Sequence, residues 1–180
     1  MVTRYLSTVE SQPAFNNARL LVVMGSSGSG KSTIGEALST RLNAAFIEGD
    51  SLHTATNKAK MSSGVALTDH DRWPWLKHLG TTLGMREGRV VASCSALRKA
   101  YRQCISEYAR EPVLFVYLHG TRATLAARLS TREGHFMSAT LLDSQLSTLE
   151  IPDEHEFAIT VNVDQPVDKI VDTIANVLQH

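Results

Sequence analysis

The sequence predicts an α/β fold in which five parallel strands form a sheet covered by helices on both faces. Three observations predict it. Short apolar runs alternate with longer segments of helical periodicity, the runs are mostly apolar throughout rather than at every second residue, and a glycine-rich turn joins the first run to the first helix. At 180 residues the chain suits one domain over 20–180.

The elements follow one another in the order that a parallel sheet requires. Residues 1–19 are polar and show no sustained period, so we expect a flexible leader. The predicted strands are 20–24, 44–48, 89–94, 113–118 and 157–163. The predicted helices are 31–42, 56–61, 72–87, 97–108, 121–132, 139–149 and 166–178, the last beginning at a proline that suits a first helical turn.

The charge balance and the cysteines exclude several classes of protein. The chain has 18 basic and 18 acidic residues, so no broad electropositive face for nucleic acid or an anionic membrane is predicted. Cys94 and Cys104 show neither metal-ligand spacing nor a disulfide framework. The apolar runs are too short to span a bilayer. We therefore expect a cytoplasmic protein without nucleic-acid or membrane partners.

The run from Gly25 to Ser32 matches the phosphate-binding pattern GxxxxGK[ST], and it lies between a predicted strand and a predicted helix. Main-chain N–H groups of such a loop hold nucleotide phosphates, a role that we assign to residues Gly25, Ser26, Ser27, Gly28, Ser29, Gly30, Lys31, Ser32 and Thr33. Lys31 would reach the β and γ phosphates of ATP, and the Ser32 hydroxyl would bind Mg²⁺.

The phosphate loop by itself does not separate a kinase from an ATPase, a GTPase or a nucleotide-dependent regulator. The guanine-binding pattern NKxD of switch GTPases does not occur in the sequence. A long apolar strand ending in an acidic pair, typical of motor ATPases, does not occur either.

Two acidic residues separated by a glycine, Glu48 and Asp50, close the second predicted strand, at the edge where open α/β sheets bind ligands. Asp50 there can accept the proton of an attacking hydroxyl, and Glu48 can hold a water of the magnesium shell. By spacing alone, Asp50 serves equally well as the cap of the following helix.

Several separated blocks resemble the gluconate kinases of the P-loop type, over nearly everything from residue 20 onward. These blocks are Glu48 to His53, Asn57 with Lys60 and Met61, Gly64 with Leu67, Asp69 and Asp71 to Leu76 except Trp73, Cys94 to Arg98 with Tyr101 and Arg102, Arg128 with Leu129, Arg132 to Phe136, Ser144 with Gln145, and Leu149 with Glu150. Thr54 and Ala66 stand where the family usually has proline, and Arg98 where it usually has lysine.

The resemblance implies transfer of a phosphoryl group from Mg-ATP to gluconate in a fold like that of the nucleoside monophosphate kinases. It implies a substrate site made by Asp50, His53, Arg72, Arg98, His135 and Gln145. It also implies a mobile lid at 128–138, with Arg128 near adenine and Arg132 on the transferring phosphate as a catalytic partner of Lys31 and Asp50. A homodimer is implied too.

Two other functions stay open from the sequence. One is a kinase for another small polyol acid such as shikimate, and the other is a nucleotide-binding regulator without transfer activity. Trp73 and Trp75 could form a sugar-stacking platform, but packing of at least one of them in the core is the favoured interpretation.

Overall fold

The computed structural model describes residues 2–3, 15–130 and 139–179. Its strands are β1 (Val2–Thr3), β2 (Leu20–Met24), β3 (Ala45–Glu48), β4 (Val90–Ser93), β5 (Val113–His119) and β6 (Ala158–Asn162). They lie in the order β1-β6-β5-β2-β4-β3, and all neighbours are parallel except β1 and β6. The predicted five-stranded parallel sheet is confirmed, with one short antiparallel strand added at its edge.

The described part of the 1–19 segment, which the sequence predicts to be a flexible leader, contains two short elements. One is β1, whose residues pair with Val161 and Thr160 of β6. The other is a 3-10 helix at Phe15–Asn17, where the Phe15 ring stacks on Phe157 at 5.3 Å. These parts of the segment therefore belong to the folded domain.

The helices are α1 (Lys31–Leu42), α2 (Ala55–Ser62), α3 (Asp69–Met85), α4 (Lys99–Ala109), α5 (Arg122–Ser130), α6 (Ala139–Thr148) and α7 (Val167–Val177). All seven predicted helices are confirmed. The start of α3 differs most from the prediction, by three residues. Thr68 and Asp71 form a capping box there, in which each side chain accepts a hydrogen bond from the other residue's main-chain N–H. The helix therefore begins at Asp69 rather than at residue 72.

Helices cover both faces of the sheet, as the apolar strands predict. Along β2, Leu20, Val22 and Met24 pack in a cluster with residues of α3 and α4, whereas Leu21 and Val23 pack in a cluster with residues of α1 and α7. All five side chains are fully buried. A strand buried on both faces needs no polar alternation, which explains the continuous apolar run.

Among the helices in the described ranges, none combines the length and the apolar character needed to cross a membrane.

Candidate active site

The phosphate loop follows the central strand β2 and ends at the head of α1. Gly25, Gly28 and Gly30 have φ of 146°, 83° and 88°, a region that favours glycine. A Cβ on Gly28 would lie only 2.6 Å from the main-chain oxygen of Leu125 in α5. The loop therefore needs its glycines both to turn and to pass beneath α5.

The loop offers groups that fit a nucleotide triphosphate. The Ser29 hydroxyl is fully buried, lies 3.0 Å from where a Cβ of Gly25 would be, and has no hydrogen-bond partner within the described ranges. The Lys31 ammonium donates to the Ser26 carbonyl at 3.1 Å, so it is folded over the loop. A buried hydroxyl without a partner, a cation and the N–H groups at the head of α1 together suit phosphate oxygens.

Arg128 lies between the phosphate loop and the loop that follows β6. Its Nη2 donates to the Val163 carbonyl at 2.6 Å, and its Nη1 is 4.0 Å from where a Cβ of Gly30 would be. This position is compatible with the predicted place near adenine, which stays a prediction.

Glu48, Gly49 and Asp50 turn the chain sharply at the end of β3. A Cβ on Gly49 would lie 2.0 Å from the Ser93 carbonyl oxygen, so only glycine fits beside β4. Glu48 Oε1 accepts one short hydrogen bond from the Ser93 hydroxyl and a longer one from the Asp50 amide, and Ser93 Oγ accepts from the Gly49 amide at 3.3 Å. Trp75 Nε1 donates to the Gly49 carbonyl at 2.7 Å. The turn is thus held from both sides.

Asp50 leaves this turn with 68 % of its side-chain surface accessible. Surrounding protein atoms nevertheless desolvate part of the carboxyl group, and this desolvation raises the pKa of Asp50 above its usual value. The positive charge of Lys31 opposes the rise, and the negative charge of Glu48 adds to it. Asp50 and Lys31 therefore interact electrostatically at the carboxyl edge of the sheet, and the roles predicted for them stay predictions.

His53 lies beneath this turn and is 6 % exposed. Its ring stacks on Trp75 with 3.9 Å between centroids, and its Nε2 is 4.0 Å from Asp50 Oδ1. Burial and the nearby charges of Lys58 and Arg72 lower the pKa of His53 to about 4. The ring is therefore neutral at physiological pH.

Arg72 of α3 and Arg98, which precedes α4, are joined by one carboxylate. Asp69 Oδ1 accepts from Arg72 Nη1 at 3.3 Å and from the Tyr101 hydroxyl at 2.5 Å, while Asp69 Oδ2 accepts from Arg98 Nη1 at 2.9 Å. Both guanidinium groups lie over the Tyr101 ring, at 5.7 and 5.9 Å from its centroid. The Tyr101 hydrogen bond and the two arginine charges lower the pKa of Asp69. The structure thus brings two predicted substrate residues together.

A buried ion pair supports the loop that carries Arg98. Arg102 is 1 % exposed and donates to both oxygens of Glu156, at 2.6 and 2.8 Å. Its Nη1 also donates to the carbonyls of Ala96 and Leu97, at 3.1 and 3.4 Å. Ala96 has a φ of 41°, a conformation that costs energy for a residue with a Cβ and is held here by these bonds.

Comparisons with known proteins agree with this geometry. The family model described as Shikimate kinase matches residues 27–179. The gluconokinase of Gluconobacter oxydans (strain 621H) is 44 % identical over 159 residues, covering 87 % of this chain and 89 % of that protein. The thermoresistant gluconokinase of Escherichia coli (strain K12) is 38 % identical over 164 residues, covering 89 % and 93 %. The chain belongs to the gluconokinase family.

A solved structure supports membership of the gluconokinase family. The crystal structure of a gluconokinase from Sinorhizobium meliloti 1021 superposes with a TM-score of 0.82 at 47 % identity, covering 88 % of this chain and 90 % of that one. The protein is thus a nucleotide-binding P-loop kinase.

One predicted substrate residue contacts the phosphate loop, and two predicted site residues lie outside the described residues. Gln145 of α6 reaches the phosphate loop, where its Oε1 accepts from the Ser27 amide at 2.7 Å. Its contact with substrate stays a prediction. Arg132 and His135, and most of the predicted lid, lie outside the described residues. Thr33 is the third residue of α1 and is exposed.

The tryptophan prediction is confirmed for Trp75, which is 3 % exposed and packs in the core. Trp73 is partly buried and meets the Tyr101 ring edge-on at 5.4 Å. Thr54, which replaces a usual proline, caps α2 because its Oγ1 accepts from the Asn57 amide at 3.1 Å. The Thr54 side chain therefore restrains the start of α2 without a proline.

Sequence reasoning missed the residues that hold the binding groups in place. Asp69 joins the two arginines, Asn57 bonds His53, and Glu156 bonds Arg102. Asp69 and Asn57 belong to the blocks that resemble the family, and this was the available signal. Glu156 gave no signal of any kind.

Proposed function

We propose that the protein transfers the γ-phosphoryl group of Mg-ATP to the terminal hydroxyl of gluconate, giving 6-phosphogluconate. The observation that supports the proposal is the turn that presents Asp50 at the carboxyl end of β3, close enough to Lys31 at the head of α1 for the lysine charge to influence the pKa of Asp50. The relatives named above are gluconokinases over most of their length.

The phosphate loop binds ATP through its main-chain N–H groups and Lys31, which neutralises charge on the phosphates. Ser32 would hold Mg²⁺ directly and Glu48 would hold it through water. When bound, the ion offsets negative charge on the phosphate oxygens. Arg128 serves the adenine side, and Arg132 serves the transferring phosphate.

Asp50 orients the terminal hydroxyl of gluconate and takes its proton. The hydroxyl oxygen forms the new bond to phosphorus while the bond from phosphorus to the bridging oxygen of ADP breaks. Most of the catalysis is positioning, because the protein forms no covalent intermediate in this scheme.

Gluconate presents a carboxylate at one end and hydroxyls along its length, and the site offers matching partners. Arg72 and Arg98 each keep further N–H donors besides the one bound to Asp69, so the pair can bind a carboxylate through planar contacts. His53, His135 and Gln145 complete the proposed substrate site. A cytoplasmic homodimer is also part of the proposal, and the two buried free thiols suit a reducing compartment.

A coupled ADP-release assay with purified protein tests the proposal. Gluconate, idonate, shikimate and glycerate are offered with Mg-ATP, beside the variants Lys31→Ala and Asp50→Ala. We expect turnover with gluconate and loss of most of it in both variants, each of which stays folded by circular dichroism. Turnover with shikimate but not gluconate, or a near-normal rate in Asp50→Ala, would refute the assignment.

A further inference from the structure

The plane of the His53 ring is held by Trp75. Trp75 stacks on one face of it with only 22° between the ring planes. Trp75 cannot turn away without losing the hydrogen bond from its Nε1 to the Gly49 carbonyl. The imidazole plane is therefore defined before any substrate binds, and only the position of its proton is left to be decided.

Asn57 decides that position. Its Nδ2 lies 2.8 Å from the main-chain oxygen of Asp71, and a carbonyl oxygen only accepts, so this atom is the amide nitrogen. The same nitrogen is 3.3 Å from His53 Nδ1. An amide nitrogen donates and does not accept, so Nδ1 must carry the lone pair. The proton of the neutral ring is then on Nε2.

Nε2 points towards the catalytic carboxylate. It is 4.0 Å from Asp50 Oδ1, which is too far for a direct hydrogen bond. A single oxygen atom can lie about 2.8 Å from both atoms, with an angle of about 90° at that oxygen. The gap therefore has the dimensions of one bridging hydroxyl group.

We propose that Asn57 is a positioning residue, which holds His53 as an Nε2–H donor so that His53 and Asp50 together grip one hydroxyl of the substrate. This inference rests on the proposed function for the identity of the hydroxyl, which is the one that is phosphorylated.

The tautomer sets the direction in which the hydroxyl proton leaves. A hydroxyl has one proton to donate, and a bare Nε2 would compete with Asp50 for it. When Nε2 carries a proton, it donates to the hydroxyl oxygen, and the hydroxyl proton can be directed only to Asp50. The low pKa of His53 supports this arrangement, since an imidazolium would pair with Asp50 instead. Lys58, Arg72 and Asp50 are the charged groups that act on the ring.

The first test is the tautomer itself, measured by nitrogen-15 NMR of the histidine side chains in the wild-type protein at pH 7. The chain has seven histidines, and the signals that vanish in His53→Gln identify the ring. We expect a protonated Nε2 and an unprotonated Nδ1. A protonated Nδ1, or protons on both nitrogens, would overturn the proposal. This readout needs no substrate, so it stands or fails separately from gluconate turnover.

The second test is kinetic and uses a matched pair of variants, one at the N-cap of α2 and one in its first turn. Asn57→Asp replaces the donor with an acceptor of the same shape, which favours a proton on Nδ1. We expect kcat/KM for gluconate to fall by about tenfold or more, mainly through kcat, with KM for ATP changed by less than about twofold.

Thr54→Ala removes the cap at the backbone of Asn57 but leaves its side chain, and we expect kcat to stay within about twofold of wild type. An unchanged kcat in Asn57→Asp would overturn the proposal. So would an equal loss in Thr54→Ala, because helix placement would then explain both. If Asn57→Asp does not fold, the wild-type spectrum alone decides.

Discussion

Substitution of Glu156 by alanine should lower the free energy of unfolding far more than the same substitution at exposed acidic residues nearby. Glu156 accepts two short hydrogen bonds from Arg102, whose side chain is 1 % exposed. Removing one partner of a buried ion pair leaves an uncompensated charge and costs about 3–5 kcal/mol. For a domain of this size the whole free energy of unfolding is about 5–15 kcal/mol, so the loss is a large share.

Urea unfolding followed by circular dichroism measures the effect. With a slope of about 2 kcal/mol per molar urea, the midpoint should fall by about 2 M. The matched control is Asp153→Ala, which breaks the ion pair between Lys99 and Asp153 in the same loop. Both side chains of that pair are at least 40 % exposed, so its loss should cost no more than about 1 kcal/mol.

The same variant has a functional consequence. Arg102 holds the carbonyls of Ala96 and Leu97, so its release should displace Arg98 and raise KM for gluconate more than KM for ATP. A midpoint shift in Glu156→Ala no larger than that in Asp153→Ala would refute the reasoning, since the pair would then behave as a solvated one.

Three further predictions follow from the site. Gly49→Ala places a Cβ 2.0 Å from the main-chain oxygen of Ser93, so it should lower the free energy of unfolding in urea by about 1–3 kcal/mol or more and remove most activity. The control Gly64→Ala has nothing within 4 Å of its Cβ and should cost only about 1 kcal/mol. Similar losses in the two variants would contradict the steric argument. Asp69→Asn weakens the hydrogen bonds that hold Arg72 and Arg98 together, so steady-state kinetics should show a KM for gluconate raised about tenfold and little change in KM for ATP. An unchanged KM for gluconate would argue against a role of Asp69 in positioning the two arginines. The pKa of His53 is about 4 in the folded protein and about 6.5 in the unfolded chain, so between these pH values only the unfolded chain binds the proton. The free energy of unfolding should therefore fall by about 3 kcal/mol as pH drops from 6.5 to 4, relative to the change measured in His53→Gln. If urea unfolding shows the same pH dependence in wild type and His53→Gln, the ring is not buried and neutral.

Local sequence patterns determined most of the fold. The order of strands and helices could be read from the sequence because period and glycine placement are properties of neighbouring residues. Periodicity places the start of α3 three residues late, because the capping box of Thr68 and Asp71 extends the helix beyond the periodic segment. The binding residues were named chiefly through family resemblance, since Arg72 alone is an ordinary arginine at the start of a helix.

The sequence by itself determined that a phosphate loop opens the first helix and that Asp50 follows another strand at the same carboxyl edge of the sheet. Tertiary structure alone decided what holds these groups. Arg102 and Glu156 are 54 positions apart, and Gln145 and Ser27 are 118 apart. Such contacts depend on how whole elements pack against one another, and no local period records that packing. The tautomer of His53 is of the same kind, because it is set by an amide whose own orientation depends on a carbonyl of another helix.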